Sequence, residues 1–368
     1  MKVLFNGLQA GNRSGTGVYT RELAKQLVSL GGGIDIRVFW PRDISVPKGV
    51  DERFFLPVGA QSTMARLVFD HWTFVTSARE TMSDVLHYPC TFAGLRKFRH
   101  TVVTIHDISF LRNPAWFRAD RALYYRKAIK MTLNRAAMVI TGSQYTACDL
   151  EEMLGFSRER VRVTPYAARS EFRPLDEAAQ QAVRTKYTLP NRFFLCLGTF
   201  EPRKNLERCV LAFSQIAAKL SSDLVLAGRW GWKTRGLRAV LNDSPYAGRI
   251  HLPGFIMDED LPAVLSAATA LLYPSLYEGF GLPVIEAMAC GTPVVVSRAS
   301  SLPEVAGDAA LYVDPYDTEA LSQALIALDS EEQLRCTLRE KGLQRAKTFS
   351  WARTAELTLA VYRELAGK

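Results

Sequence analysis

Long apolar runs are missing from this 368-residue chain. No segment approaches the roughly 18 consecutive apolar residues that a membrane-spanning helix needs, so an integral membrane protein is not expected. Paired cysteines are missing too. Cys90, Cys148, Cys196, Cys209, Cys290 and Cys336 are scattered with no Cys-x-x-Cys pair, which argues against a zinc site and a disulfide framework and favours buried free thiols. There is no internal repeat, low-complexity tract or long linker. The opening Met1-Lys2-Val3-Leu4-Phe5-Asn6-Gly7 breaks too early for a secretory signal, and a cytosolic protein is the expectation.

What is present is an ordinary globular composition, 48% hydrophobic, in a chain long enough for two domains that each bury a core. The net charge of +9 is unevenly placed. Residues 1–175 carry 25 Lys and Arg against 15 Asp and Glu, whereas residues 176–368 carry 21 against 22. The excess is concentrated in Arg96-Lys97-Phe98-Arg99 and in the segment from Trp116 to Arg135, where Arg118, Arg121, Arg126, Lys127 and Lys130 interleave with Trp116, Phe117, Tyr124 and Tyr125. Basic residues among aromatics suit an anionic bilayer surface, a polyanionic acceptor such as a lipid diphosphate, or nucleic acid. The plain alternative is a solvated helix face whose aromatics point inward.

Short apolar strands alternate with helical patterns in two series. Strands are expected at Lys2–Asn6, Ile36–Trp40, Val85–Tyr88, Thr101–Ile105, Met138–Thr141 and Arg160–Val163. The second series is expected at Phe193–Leu197, Leu224–Ala227, Ile250–Leu252, Ala270–Tyr273, Pro293–Val296 and Ala310–Val313. Helices are expected at Val18–Leu30, ending at Gly31-Gly32-Gly33, and at Leu206–Leu220, Glu259–Ala267, Pro283–Cys290 and Thr318–Leu328. Near-continuous apolar strands separated by helices indicate parallel sheets covered on both faces. Two doubly wound α/β domains follow, residues 1–173 and 174–348, with a last helix over 349–368 that Ser350 caps and that packs back on the first domain. Ligands of such sheets bind beyond the carboxyl ends of the strands, so the site is expected in a cleft that the two domains face.

Glu278-Gly-Phe-Gly-Leu-Pro-Val-Ile-Glu286 places two carboxylates across a glycine-punctuated turn into a helix. Gly279 and Gly281 allow close approach of the backbone to a ligand, Pro283 suits a first helical turn, and the helix start turns N–H groups toward an anion. The carboxylates can accept hydrogen bonds from hydroxyls. Alternatively, Glu286 is an acid favoured near a helix N-terminus and Glu278 a solvated loop residue. Arg203-Lys204 is expected at the start of the Leu206 helix, where cations oppose the dipole unless a diphosphate lies there to be clamped. His106 ends a strand and is expected to face the cleft, and Gly15-Thr16-Gly17 forms a strand-to-helix loop that could cradle an anion. Asp258-Glu259-Asp260 superficially offers a divalent metal a carboxylate pair, but it directly precedes a helix, where acids are favoured anyway.

Together these residues resemble the retaining GT-B glycosyltransferases of family four, over nearly the whole length. The resemblance implies that Glu278 lies near the donor-sugar hydroxyls and that Glu286 accepts from the ribose hydroxyls. It puts Arg203 and Lys204 on the diphosphate, and Phe280, Gly281 and Leu282 where amides meet sugar and phosphate. His106 would stand beside the donor sugar, Gly15, Thr16 and Gly17 in a mobile loop near acceptor and phosphates, and Gly254 and Phe255, within Pro253-Gly254-Phe255, at the base. No metal and no cofactor is implied beyond the nucleotide sugar as co-substrate. Glu-Pro-Arg203-Lys204-Asn looks most like bacterial polysaccharide mannosyl- and rhamnosyltransferases. GDP-mannose is the first expected donor, a UDP- or dTDP-sugar the second, and the acceptor a saccharide or polyprenyl-diphosphate-linked saccharide at the inner face of the membrane. A soluble acceptor, a non-catalytic nucleotide-binding scaffold and a nucleic-acid binder are the alternatives; the last leaves residues 278–286 without a role. Two departures stand out: Thr199 follows Gly198 where many relatives have arginine, and Pro165-Tyr166-Ala167 replaces a frequent Pro-Asn-Gly.

Overall fold

The computed structural model describes residues 1–30, 33–42, 44–46, 55–56 and 69–367; the expected helix stop at Gly31 and Gly32 lies outside the described residues. The chain divides into two compact units, one of Met1–Arg112, Ala119–Tyr166 and Ser350–Lys368, the other of Asn113–Arg118 and Ala167–Phe349.

The first unit is built on a wholly parallel sheet of β1 (Lys2–Asn6), β2 (Asp35–Pro41), β3 (Phe55–Leu56), β4 (Val85–Tyr88), β5 (Thr101–Ile105), β6 (Met138–Thr141) and β7 (Val161–Val163), in the order β3-β2-β1-β4-β5-β6-β7. Central strands such as β5 are buried at every residue, as parallel strands with both faces covered must be, and this is why they read as unbroken apolar runs. The helix Trp351–Ala366 belongs to this unit. Ser350 caps it by accepting from the Arg353 amide, satisfying one of the orphan donors of a helix start, and Ala355, Val361 and Tyr362 are buried. A polar chain runs beneath it: the His87 ring nitrogens meet the Tyr362 hydroxyl at 2.5 Å and the Thr104 hydroxyl at 2.8 Å, and Tyr19 meets Thr104 at 3.0 Å. Burial drives the pKa of His87 down to about 3, so this core histidine is a neutral hydrogen-bonding post.

The second unit holds β8 (Phe193–Leu197), β9 (Asp223–Ala227), β10 (Ile250–Gly254), β11 (Ala270–Tyr273), β12 (Val294–Ser297) and β13 (Leu311–Val313), all parallel, in the order β10-β9-β8-β11-β12-β13. Its core joins Phe194, Cys196, Phe213, Leu224, Leu226, Leu272 and Val295 from the sheet and the Leu206–Ile216 helix. That helix stops at Ile216 and passes into a 3-10 turn, shorter than the expected run to Leu220. In both sheets the winding reverses beside the first strand, between β1 and β4 and between β8 and β11, and such reversal points open a crevice at the strand ends.

The chain leaves the first unit at Tyr166, earlier than the break expected at 173. Residues between those two positions already pair within the second unit; Arg169 Nη1, for instance, lies 3.7 Å from Asp258 Oδ2. Asn113–Arg118 also groups with the second unit, because Trp232 Nε1 and Lys233 Nζ donate to the carbonyls of Trp116 and Ala115 at 2.7 and 2.5 Å. The basic, aromatic segment therefore does two things. Trp116 and Phe117 lie with Trp232, whereas Tyr125 of the Ala119–Leu133 helix packs inward on Phe92 and Phe110. Leu123, Tyr124 and Met131 remain exposed alongside Arg126, Lys127 and Lys130.

Candidate functional site

At the reversal point of the second sheet, the loops after β8 and β11 carry Arg203, Lys204 and Glu278 to one place. Pro202–Lys204 is a 3-10 turn, and Asn205 in the left-handed region (φ 57°) separates it from the Leu206–Ile216 helix. The cations are thus not in the first turn of that helix, contrary to the sequence expectation. Asn205 Nδ2 donates to the carbonyls of Pro274 and Pro315 at 3.0 and 2.7 Å, and the Leu276 amide donates to Arg203 O at 2.7 Å. The strand-end loops are therefore tied by the Asn205 side-chain amide and one backbone hydrogen bond.

Glu278 is 6% exposed and lies between the two cations. Lys204 Nζ donates to Glu278 Oε1 at 2.7 Å and to the Tyr273 hydroxyl at 2.5 Å, and sits 4.6 Å from the Tyr273 ring centre. Arg203 Nη1 donates to Glu278 Oε2 at 3.0 Å and to Tyr277 O at 3.1 Å, while its Nε pairs with Glu201 Oε1 at 2.6 Å. Burial alone would raise the Glu278 carboxyl, yet Arg203 and Lys204 together hold it down to about 2. Burial pushes the Lys204 ammonium below its usual value, and Glu278 opposes that. The dipole conflict read from sequence is thus resolved inside the fold: two cations face two carboxylates, and Arg203, Lys204 and Glu278 each have more than one partner, as buried ions require. An incoming diphosphate would meet an ammonium and a guanidinium already oriented.

The Glu278–Leu282 turn is fixed from behind by residues that sequence reading missed. The Glu278 amide donates to Ser300 Oγ at 2.8 Å, and Ser301 Oγ donates to the carbonyls of Glu278 and Phe280 at 2.9 and 3.0 Å. Gly281 heads the Leu282–Ala289 helix at φ 103°, and a Cβ there would lie 2.9 Å from Leu302 Cδ2. Both the dihedral and the packing demand glycine. Phe280 is buried against Phe349.

Glu286, in the same helix, keeps different company. Its Oε1 is 3.8 Å from Arg169 Nε, and Arg169 Nη1 reaches Glu171 at 3.1 Å and Asp258 at 3.7 Å. Burial raises the Glu286 carboxyl to about 7 against the pull of Arg169, with Asp258 and Glu171 adding to the rise. Arg169 was missed in the sequence: an arginine between the two domains, two residues past Pro165-Tyr166-Ala167, looks like a solvated charge. Gly254 ends β10 at φ 81° with its carbonyl bonded to the Gly228 amide at 2.8 Å, and the half-buried Phe255 ring carries Arg229 at 4.4 Å. Asp260 takes Lys186 Nζ and the Tyr187 hydroxyl at 2.7 and 2.6 Å. Asp258 instead faces Arg169, so these acids serve different partners.

In the first unit, His106 stands immediately after β5. Its Nε2 lies 3.2 Å from Pro89 O, which can only accept, so Nε2 carries the proton and Nδ1 accepts from the Tyr166 hydroxyl at 2.8 Å. Burial depresses its pKa to about 4. Tyr166 stacks on Trp351 at 8° and 6.1 Å, and its ring would lie 2.7 Å from any Cβ at Gly142. The Pro165-Tyr166-Ala167 departure thus supplies the histidine's hydrogen-bond donor. Gly15, Thr16 and Gly17 form the first turn of the Gly15–Leu30 helix rather than the loop expected before it. A Cβ on Gly17 would lie 1.7 Å from Asn12 O, so the fold itself requires that glycine.

The second unit matches the family model for group 1 glycosyl transferases over residues 180–345, and residues 13–168 match that for Glycosyltransferase Family 4. The chain is 34% identical to the O-antigen chain mannosyltransferase B of Escherichia coli over 285 residues, covering 77% of this chain and 75% of that protein. It is 31% identical to the serotype-specific mannosyltransferase WbdA of Escherichia coli over 72% of this chain, but spans only 33% of that longer protein. A sucrose-phosphate synthase from Thermosynechococcus elongatus superposes with a TM-score of 0.76 at 23% identity, covering 99% of both chains.

Proposed function

Because the chain belongs to the group 1, family 4 glycosyltransferases and has the two-sheet GT-B fold, we propose that it moves mannose from GDP-mannose to a saccharide hydroxyl, with retention at the anomeric carbon. The observation that carries this reading is the burial of Glu278 between Arg203 and Lys204: an acceptor of sugar hydroxyls beside two donors to a diphosphate. As the bond from the anomeric carbon to the leaving phosphate oxygen breaks, charge builds on the diphosphate, and Lys204 and Arg203 stabilise it. The acceptor oxygen bonds to the same face of that carbon and its proton passes to the departing phosphate. Cationic side chains supply the charge, and no metal is required. His106 stays neutral, its tautomer set by Tyr166 and Pro89.

Mannose rests on the mannosyltransferase activity of the similar Escherichia coli proteins; a UDP-sugar is the second reading, since solved GT-B neighbours include a UDP-glucose complex. The acceptor is a polyprenyl-diphosphate-linked glycan at the cytoplasmic face of a membrane, as the exposed Leu123, Tyr124 and Met131 beside Lys127 and Lys130 suggest. No helix among the described residues is long and apolar enough to cross a membrane. The test is a thermal-shift series with GDP, UDP, ADP and dTDP. A ligand at about 100 times its Kd stabilises by roughly 2.7 kcal/mol, and GDP should give the largest rise. No shift with any of the four sinks the reading.

A further inference from the structure

The two side chains that accept from Lys204 Nζ differ in charge. The Glu278 carboxylate takes one N–H at 2.7 Å and the Tyr273 hydroxyl another at 2.5 Å. Burial and the neighbouring Glu278 charge hold the Tyr273 hydroxyl far above its ordinary pKa, so it meets the ammonium as a neutral phenol. A carboxylate that holds an ammonium also cancels its charge, and Glu278 is shared with Arg203 through its other oxygen at 3.0 Å. A neutral hydroxyl fixes the direction of the ammonium and leaves the charge in place. Packing does not call for that hydroxyl: Tyr273 ends β11 and is 3% exposed, and phenylalanine would fill the same space. The lysine, in contrast, needs holding. Its stem passes beyond the end of β8, where a Cβ on Gly198 would lie 3.6 Å from Lys204 Cε, and a four-carbon stem has rotamer freedom that two fixed acceptors remove.

We propose that Tyr273 is a positioning residue for the transfer: its hydroxyl aims the Lys204 ammonium at the diphosphate without neutralising it and leaves the third N–H for a phosphate oxygen. This rests on the donor reading above, in which Lys204 meets the leaving group, and adds to it a residue that acts through Lys204 and touches no substrate atom.

The experiment is a double-mutant cycle on the full chain, Tyr273→Phe against Lys204→Ala, read as GDP release from GDP-mannose and UDP release from UDP-glucose. Tyr273→Phe should lower kcat by about tenfold or more, the effect of one hydrogen bond to a charged group. KM should change less, because the aimed charge matters most where charge develops in the transition state. In the Lys204→Ala background the same substitution should change kcat by less than about twofold. An equal fold-loss in both backgrounds would mean that Tyr273 supports the sheet rather than the ammonium, and it overturns the proposal, as does an unchanged kcat in Tyr273→Phe. A second readout needs no donor: lysine amines are acetylated with limiting acetic anhydride and followed by mass spectrometry, with the exposed Lys219 and Lys347 as references. Tyr273→Phe frees the ammonium and should raise labelling of Lys204 several-fold while the references stay constant; unchanged labelling of Lys204 overturns the proposal. If wild type releases no diphosphate from either sugar nucleotide, the donor reading falls while labelling still decides whether Tyr273 holds Lys204, so the two failures are distinguishable.

Discussion

Replacing Glu286 with glutamine should reveal a carboxylate that the fold disfavours. Its ordinary value is 4.5, and burial lifts it to about 7 in the folded chain. Between those values the folded state holds the proton more tightly than the unfolded state, so stability is highest below 4.5 and declines as pH rises toward 7. Above 7 the penalty is constant. The span from 4.5 to about 7, at about 1.36 kcal/mol per pH unit, gives roughly 3 kcal/mol at pH 8 and about 1 kcal/mol at pH 5. Glutamine has no such dependence. The difference in stability between Glu286→Gln and wild type should therefore change by about 2 kcal/mol from pH 5 to pH 8 in the variant's favour. Other groups cancel in that difference where the substitution leaves them alone. A two-unit chain need not unfold in one step, so the readout is hydrogen exchange of amides in the Leu282–Ala289 helix, with wild type and variant compared at each pH. A constant difference across this range would mean that Glu286 is ionised throughout, as an ordinary partner of Arg169, and would refute the reasoning.

Lys204→Ala should lower turnover by about 100- to 1000-fold, the usual cost of losing one preorganised donor to developing charge; circular dichroism checks that the fold persists, and near-normal turnover would remove Lys204 from the mechanism. Tyr166→Phe removes the donor to His106 Nδ1 and should cost about 1 kcal/mol in unfolding free energy. In the wild type, histidine nitrogen shifts should show His106 neutral with the proton on Nε2 from pH 8 down to pH 5, and titration near 6.5 would contradict the buried geometry. Reversing Lys127 and Lys130 to glutamate should weaken sedimentation with anionic liposomes at low salt, at about 1 kcal/mol for each cation lost. Unchanged sedimentation would detach the Ala119–Leu133 helix from any bilayer.

The family is legible in the sequence because its carriers are local. Glu278 to Glu286 is one turn and one helix, and strands such as Phe193–Leu197 and Thr101–Ile105 are buried on both faces, so their apolar runs mark them without any knowledge of the sheet. What the chain alone could not decide were charge partners and exact conformation. The two cations read as a conflict with a helix dipole until Asn205 turned the backbone and Glu278 arrived from the next strand of the sheet. Gly15 to Gly17 read as a loop because glycine is a poor helix former, but contact with the Asn12 carbonyl required glycine inside the first helical turn. Arg169 and the Ser300-Ser301 clamp were silent for the same reason, and Tyr166 stood out only as a departure with no role attached. Their roles come from partners far along the chain, and the meaning of a polar side chain is set by whatever the fold brings within hydrogen-bonding reach, which local pattern does not encode.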